Sequence, residues 1–378
     1  MRPLRIALVR QRYRDDGGAE RFISRAIEAL DRDDIELTLI ARKWSGTGNA
    51  RTLRCNPFYL GRLWRDASFA RCVCQSQKHE NFDLVQSHER LTCCDLYRAG
   101  DGVHREWLRQ RSRVLPAFMA KMLWANPYHR YVMATERSMF QSPSLKAVIC
   151  NSKMVQDEIL GYFDIPKEKL HVIYSGVDTE RFHPRLKNHR KAVRESLSIK
   201  DDQSLFLFVG SGFERKGAAA LIKALARLPN TAHGVIVGED KHRQKYEALA
   251  NRLGLSKQIH FLGKQSDVGP YYGAADAMVL PTLYDPFPNV ILEAMACGLP
   301  VITSTKSGGA EFIRQGENGY VRDALDIEGI SHAMRELMNP AIATRQGESA
   351  RNTVEPYHLE SMGKAMADLY QTLLSNYD

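Results

Sequence analysis

No stretch of this chain approaches the roughly 18 apolar residues in a row that a membrane-crossing helix needs. The N-terminus, Met1-Arg2-Pro3-Leu4-Arg5, leads into an apolar run of only four residues, Ile6 to Val9. That is too short for the core of a secretory signal, so the expectation is a protein made and kept in the cytoplasm. The seven cysteines (Cys55, Cys72, Cys74, Cys93, Cys94, Cys150, Cys297) form no disulfide ladder, and Cys72-Val73-Cys74 and Cys93-Cys94 lack the Cys-x-x-Cys interval of a zinc site. Reduced intracellular thiols are expected. There is no Walker-type Gly-x4-Gly-Lys-Ser/Thr loop, no Asp-x-Asp flanked by apolar residues, no solenoid period and no low-complexity tract. Basic loops interleaved with aromatics, the footprint of a nucleic-acid binder, are missing too, so no nucleic-acid partner is expected.

What is present is an ordinary enzyme-like composition in 378 residues, enough for two α/β domains. The net charge of +9 is uneven: residues 1–175 carry 29 Lys/Arg against 20 Asp/Glu, and the remainder is neutral. A basic half suits an acidic partner such as a phosphorylated acceptor or an anionic membrane surface; an ordinary solvated surface reads equally well.

Strand and helix patterns alternate twice. Arg5–Arg10, Ile35–Ala41, Phe82–Ser87 and Ala147–Asn151 read as strands, with a glycine loop at Gly17-Gly18 and a helix from about Ala19 to Leu30. The pattern restarts at Ser204–Gly210, followed by a helix over Gly217–Ala226 and strands at Gly234–Val237, Ile259–Phe261, Ala277–Leu280 and Val301–Thr303. The polar segment Tyr174–Pro184 is the linker, and Leu359, Met362, Met366, Leu369 and Leu373 mark a terminal helix. The expected architecture is α/β, two doubly wound Rossmann-like domains (1–175 and 176–356) facing across a cleft, with a C-terminal helix (357–378) returning to the first.

Two loops carry chemistry. Gly210-Ser211-Gly212-Phe213-Glu214-Arg215-Lys216-Gly217 joins a strand to a helix, where glycines admit a ligand and two cations can neutralise a diphosphate. Taken alone it is equally a turn with a solvated Arg-Lys pair. Tyr284-Asp285-Pro286-Phe287-Pro288-Asn289-Val290-Ile291-Leu292-Glu293 places two carboxylates eight positions apart around a helix start. Free N–H groups there can hold phosphate charge, and Glu293 can accept from a vicinal diol such as ribose.

Together these segments resemble the Glu-x7-Glu signature and Arg-Lys diphosphate site of the retaining GT-B glycosyltransferases of family 4, with Asp285 in place of the first Glu. Within that family the chain is most similar to the lipopolysaccharide-core glucosyltransferases that add the first outer-core glucose to an inner-core heptose; Val237-Gly238-Glu239-Asp240-Lys241 and Ala275-Asp276 carry the same likeness. The resemblance implies that Arg215 and Lys216 hold the pyrophosphate, Glu293 the ribose, and Asp285 the transferred sugar, helped by the N–H groups of Phe287, Pro288-flanked Asn289 and Val290. It implies a base site around Gly263 and Lys264, uracil being the common choice, and a glycine loop at Gly17-Gly18 near donor and acceptor. Asp101 lies where many members carry a catalytic histidine; a helix-capping loop Asp remains the alternative, and His88 and His104 compete. The implied activity is a retaining, metal-independent hexosyl transfer, glucose favoured, from a UDP-sugar, with no cofactor. UDP-GlcNAc, UDP-Gal or GDP-mannose onto another cell-surface glycan remains open, as do an epimerase, a phosphorylase, and a basic binding protein without catalysis.

Residues 105–128 form a basic amphipathic stretch in which Trp107, Val114, Leu115, Phe118, Met122 and Leu123 recur at helical steps among Arg105, Arg109, Arg111, Arg113 and Lys121. Such a stretch can lie in a membrane interface, beside a lipid-linked acceptor at the inner membrane, although a core-packed helix pair has the same period.

Overall fold

The computed structural model describes residues 3–12, 35–43 and 51–375; the Gly17-Gly18 loop and the helix expected from Ala19 to Leu30 lie outside the described residues. The chain divides into two compact units, residues 1–175 with 359–378, and residues 176–358.

The first unit holds a parallel sheet of β1 (Leu4–Val9), β2 (Ile35–Ala41), β3 (Arg51–Arg54), β4 (Leu84–Ser87), β5 (Leu96–Arg98), β6 (Ala147–Cys150) and β7 (Leu170–Val172), in the order β3-β2-β1-β4-β5-β6-β7. Between them run α1 (Gly61–Glu80), α2 (His104–Ser112), α3 (Ala117–Ala125), α4 (Pro127–Phe140) and α5 (Lys153–Tyr162). Local chemistry sets these ends. Pro116 stands at the N-cap of α3, Asn126 caps α4 by accepting from Tyr128 N at 2.9 Å with Pro127 at the first position, and Ser152 caps α5 through Val155 N at 3.2 Å.

The second unit repeats the order with β8 (Ser204–Val209), β9 (Ala232–Val237), β10 (Ile259–Gly263), β11 (Ala277–Leu280), β12 (Val301–Ser304) and β13 (Gly319–Arg322), arranged β10-β9-β8-β11-β12-β13, all parallel. Its helices are α6 (Arg190–Ser196), α7 (Phe213–Lys216), α8 (Ala218–Leu225), α9 (Arg243–Arg252), α10 (Gly269–Ala274), α11 (Asn289–Ala296), α12 (Ile327–Glu336) and α13 (Pro340–Val354). Strands β8, β9, β11 and β12 are buried along their whole length, as continuous apolar runs covered by helices on both faces must be. In each sheet the first strand lies between the second and the fourth, so the direction of winding reverses between β1 and β4 and between β8 and β11. Loops leaving the carboxyl ends of strands at such a reversal are where open α/β sheets bind ligands.

The last helix, α14 (Leu359–Leu374), belongs to the first unit. Alternation along β1 sends Ala7 and Val9 to one core with Phe69, Val73 and Met139, and Ile6 and Leu8 to the other. That second core is closed by Met362, Met366, Leu369 and Tyr370 of α14. Burying four such side chains contributes at most about 10 kcal/mol, so α14 is part of the first unit's core.

The expectation of reduced thiols does not hold. Cys55 is joined to Cys72 and Cys74 to Cys93, with Cα separations of 5.8 and 5.7 Å. Packing α1 beside the ends of β3 and β4 brings together cysteines whose linear spacing does not show the pairing. Cys94, Cys150 and Cys297 are free and buried.

Candidate active site

The reversal between β8 and β11 gathers most of the chemistry read from the sequence. After β8 the backbone passes through Gly212 at φ +77° into the single turn of α7, and leaves through Gly217 at φ +81°. A Cβ at Gly217 would lie 1.9 Å from the Pro281 carbonyl oxygen, so only glycine allows this loop to press on the segment after β11. Phe213 N donates to Asp240 Oδ2 at 2.7 Å, while Thr282 Oγ1 and Leu283 N both donate to the Arg215 carbonyl at 2.8 Å. These bonds fix the two loops against each other.

The result is a buried ion-pair cluster. Lys216 Nζ donates to Asp285 Oδ2, and Arg215 Nη1 lies 3.1 Å from the same oxygen and 3.3 Å from the Tyr284 carbonyl. Asp285 and Lys216 are buried, whereas the Arg215 side chain is more than a third exposed. Burial raises the Asp285 carboxyl, but Lys216 and then Arg215 outweigh it and hold it below the usual carboxylate range. For Lys216, burial outweighs the pull of Asp285, and Arg215 adds to the lowering. Asp285 is also fixed through its backbone, N to Lys306 O at 2.9 Å and O from Gly308 N at 2.9 Å.

Phe287 and Pro288 are buried, and Asn289 and Val290 half-buried, at the start of α11. One turn on, Glu293 is 2 % exposed and accepts from Tyr272 Oη at 3.0 Å. Tyr272, on α10, was not among the residues the sequence pointed to; it stands 21 positions before Glu293 with no motif between them. Its ring meets Phe182 edge-on. Gly210, Gly238 and Gly263 close the neighbouring strand ends: a Cβ on Gly238 would come 2.2 Å from Gly210 O, and Gly238 N donates to Gly263 O at 2.8 Å. Lys264 is exposed beside them.

In the first unit, Asp101 follows β5 in a turn completed by Gly102 at φ +66°. Its carboxylate is largely exposed, 4.0 Å from Arg90 Nη1. Arg90 in turn donates from Nε to Glu136 Oε1 at 2.9 Å, and the buried Glu136 also accepts from His104 N. The capping carboxylate of α2 is therefore Glu136, from α4, and not Asp101. His88 is buried and held well below an ordinary histidine by burial, then Arg98 and Arg10; Gln86, its neighbour at 3.2 Å, accepts from Tyr370 Oη at 2.6 Å. His104 is pushed down to about 3, by burial first and then Arg90. Both imidazoles are neutral parts of the packing.

The basic stretch is broken in two. Arg105, Trp107, Arg109 and Arg111 ride on α2, Arg113 follows it, and Lys121 lies on α3. Arg109 is committed to Glu106 (2.7 Å) and Arg113 donates to Gln110 (2.9 Å), while Arg111 lies over the Trp107 ring. Arg105 lines a cavity of about 560 Å³ with Trp124, Arg130, Arg137, Tyr162 and Phe163. No residue of α3 is buried, and Phe118, Met119 and Met122 stand in solvent.

Comparison with known proteins finds relatives along most of the chain. The glycosyl transferases group 1 model matches residues 189–353, and the glycosyltransferase family 4 model matches residues 16–181. The chain is 29 % identical over 313 residues to the lipopolysaccharide glucosyltransferase WaaG of Escherichia coli, covering 81 % of each chain. It is 28 % identical over 370 residues, 96 % of each chain, to the lipopolysaccharide core biosynthesis glycosyltransferase LpsE of Rhizobium meliloti. The crystal structure of WaaG superposes with a TM-score of 0.82 at 26 % identity, covering 96 % of this chain and 99 % of that one. HepE of Anabaena, solved with UDP-glucose, shares the fold at a TM-score of 0.71 and 20 % identity over 98 % of this chain and 100 % of that one. With the two family models spanning most of its length, the chain belongs to the GT-B glycosyltransferases of family 4 and is related to the lipopolysaccharide-core glucosyltransferases.

Proposed function

We propose that this protein transfers a hexose, glucose first among them, from a UDP-sugar to a lipopolysaccharide-core heptose or a related lipid-linked glycan, with retention of anomeric configuration and without a metal ion. The observation that carries this reading is the Arg215–Lys216–Asp285 cluster at the β8/β11 reversal, with Glu293 one helical turn away. Arg215 and Lys216 supply the positive charge for a diphosphate, and the first N–H groups of α11 add to it; that is the work a divalent cation does in other transferases. Glu293 is the acceptor for ribose hydroxyls, Asp285 faces the transferred sugar, and the backbone at Gly263 and Lys264 meets the base.

In the reaction, the acceptor hydroxyl attacks the anomeric carbon on the face the diphosphate leaves. The C–O bond to phosphate breaks as the new C–O bond forms, and the hydroxyl proton passes to the departing phosphate oxygen. Lys216 and Arg215 stabilise the charge that grows there, and Asp101, steadied by Arg90, orients the acceptor hydroxyl. The outer face of α3, with exposed Phe118, Met119, Met122 and Lys121, supports peripheral attachment to the cytoplasmic face of an anionic inner membrane, where a lipid-linked acceptor lies.

The first test is a donor screen by thermal shift across UDP-glucose, UDP-galactose, UDP-GlcNAc and GDP-mannose. UDP-glucose should respond most; a dominant response to GDP-mannose would overturn the donor reading. Product anomericity by NMR tests retention, turnover in EDTA tests metal independence, and an acceptor-free incubation with UDP-GlcNAc separates a transferase from an epimerase.

A further inference from the structure

Large apolar side chains stand in solvent at two short stretches of the first unit. Of the ten such residues among the described ones, eight lie between 58 and 64 or between 114 and 122. The second stretch contains α3. The first has no role in any reaction described above, and its construction is unusual.

Segment 55–60 is held firmly at its base. Cys55 is bonded to Cys72 of α1 and its N donates to Ala41 O at 2.9 Å. The buried Arg42 donates to the Pro57 carbonyl at 3.0 Å and lies 4.8 Å from the Tyr59 ring centre. Tyr59 is thereby turned inward. Phe58 and Leu60, on either side of it, are turned out and are 78 % and 77 % exposed. Phe58 meets the exposed Trp64 edge-on at 5.6 Å, so the outward residues form a preset aromatic pair on a rigid base. A loop fixed by a disulfide and a buried arginine, yet holding Phe, Leu and Trp in water, is shaped for an apolar partner.

Position and charge identify that partner. Arg62 lies 4.3 Å over the ring of Tyr128, and Tyr128 Oη donates to Asp66 at 3.0 Å. Tyr128 is in the first turn of α4, immediately beyond the end of α3, so the two apolar stretches meet at this junction. From residue 51 to 80 there are six Lys/Arg and two carboxylates, Asp66 paired with Arg65 and Glu80 paired with Arg51, each at 2.7 Å. From 113 to 126 there are two cations and no carboxylate. Apolar and aromatic tips on segments that carry more cations than carboxylates fit the interface of an anionic bilayer.

We propose that Phe58, Leu60 and Trp64 form a second membrane-insertion element, so that the first unit docks on an anionic bilayer at two points. This rests on the reading that α3 faces the membrane. A single amphipathic helix leaves the protein free to roll about the helix axis; a second anchor beside its end removes that freedom and sets which face of the unit meets the lipid.

The test uses full-length protein and three forms: wild type, F58A/L60A/W64A and F118A/M119A/M122A. Co-sedimentation is measured at low salt with vesicles of phosphatidylglycerol and phosphatidylethanolamine, and with phosphatidylcholine alone. Each triple variant should bind anionic vesicles about tenfold or more weakly than wild type, with an unchanged circular dichroism spectrum and unchanged thermal shift by UDP. Failure of the wild type to bind overturns both this inference and the membrane reading of α3. Loss of binding in the α3 variant with wild-type binding in F58A/L60A/W64A overturns this inference alone. Self-association of the wild type that is lost in F58A/L60A/W64A, with vesicle binding intact, would assign the patch to a second copy of the chain and also overturn it. A variant that retains Trp64 as its only tryptophan adds a direct readout: lipid-brominated vesicles should quench it.

Discussion

Asp285 is bound by two cations, and the three side chains cannot be altered independently. Removing one partner of a buried pair leaves the other charge uncompensated, at a cost of about 3–5 kcal/mol. Urea denaturation of D285N, which strands buried Lys216, should show a loss of that order; K216A should lose less because Arg215 still faces Asp285, and the double variant should lose less than the sum. Activity separates the two residues. Lys216→Ala should lower turnover by a factor of about 10² to 10³, since it acts on the leaving diphosphate. Asp285→Asn frees both cations, so UDP should bind at least as tightly in calorimetry while sugar transfer falls. Near-normal turnover in K216A would remove the donor-site assignment. Tyr272→Phe removes the hydrogen bond to Glu293; donor KM should rise several-fold, about 1 kcal/mol, with kcat nearly unchanged.

Helices and strands differ in how readily the sequence reveals them. Ile35–Ala41 and Ala277–Leu280 are strands at the bounds their residue patterns suggest, each run beginning directly after an aspartate. β3 is Arg-Thr-Leu-Arg at a sheet edge and β5 has three residues; neither carries enough apolar pattern to announce itself. The Arg215–Lys216 loop and the Asp285–Glu293 segment are legible as motifs since each is contiguous. Their meeting, 69 residues apart for Lys216 and Asp285, is a product of sheet topology, as are the Tyr272–Glu293 bond and the two disulfides. Closing a loop of the Cys55–Cys72 size contributes about 3 kcal/mol. Thermal melts with and without reductant should therefore differ by several degrees, and C55S/C72S, which keeps the Cys74–Cys93 bridge, should show part of that difference. Loss of that bridge should also weaken vesicle binding if segment 55–60 is the anchor it supports.

Across the whole molecule, the histidines with resolved shifts all move the same way. His88, His104, His129, His171, His233 and His260 are each held below the ordinary value, with burial the largest cause. Their folded pKa lies under the unfolded one near 6.5, so the native state binds fewer protons and the fold is favoured above that value. Stability should therefore fall as pH drops from about 7.5 to about 5.5, seen as a lower denaturation midpoint in urea. Asp285, depressed by Lys216 and Arg215, adds a further loss only when pH falls below the carboxylate range.

The last helix has a consequence for how the protein is made. Domains emerging from a ribosome ordinarily fold in turn, the first one first. Here one face of the first sheet, at Ile6, Leu8, Leu84 and Ile149, is covered by Met362, Met366, Leu369 and Tyr370, which are synthesised after the entire second unit. A chain truncated after His358 should leave that face bare and aggregate, while its second unit still shows a thermal shift with UDP. In the intact protein the half that is translated first is the half that is finished last, so its apolar face must be kept from other chains throughout the synthesis of the rest.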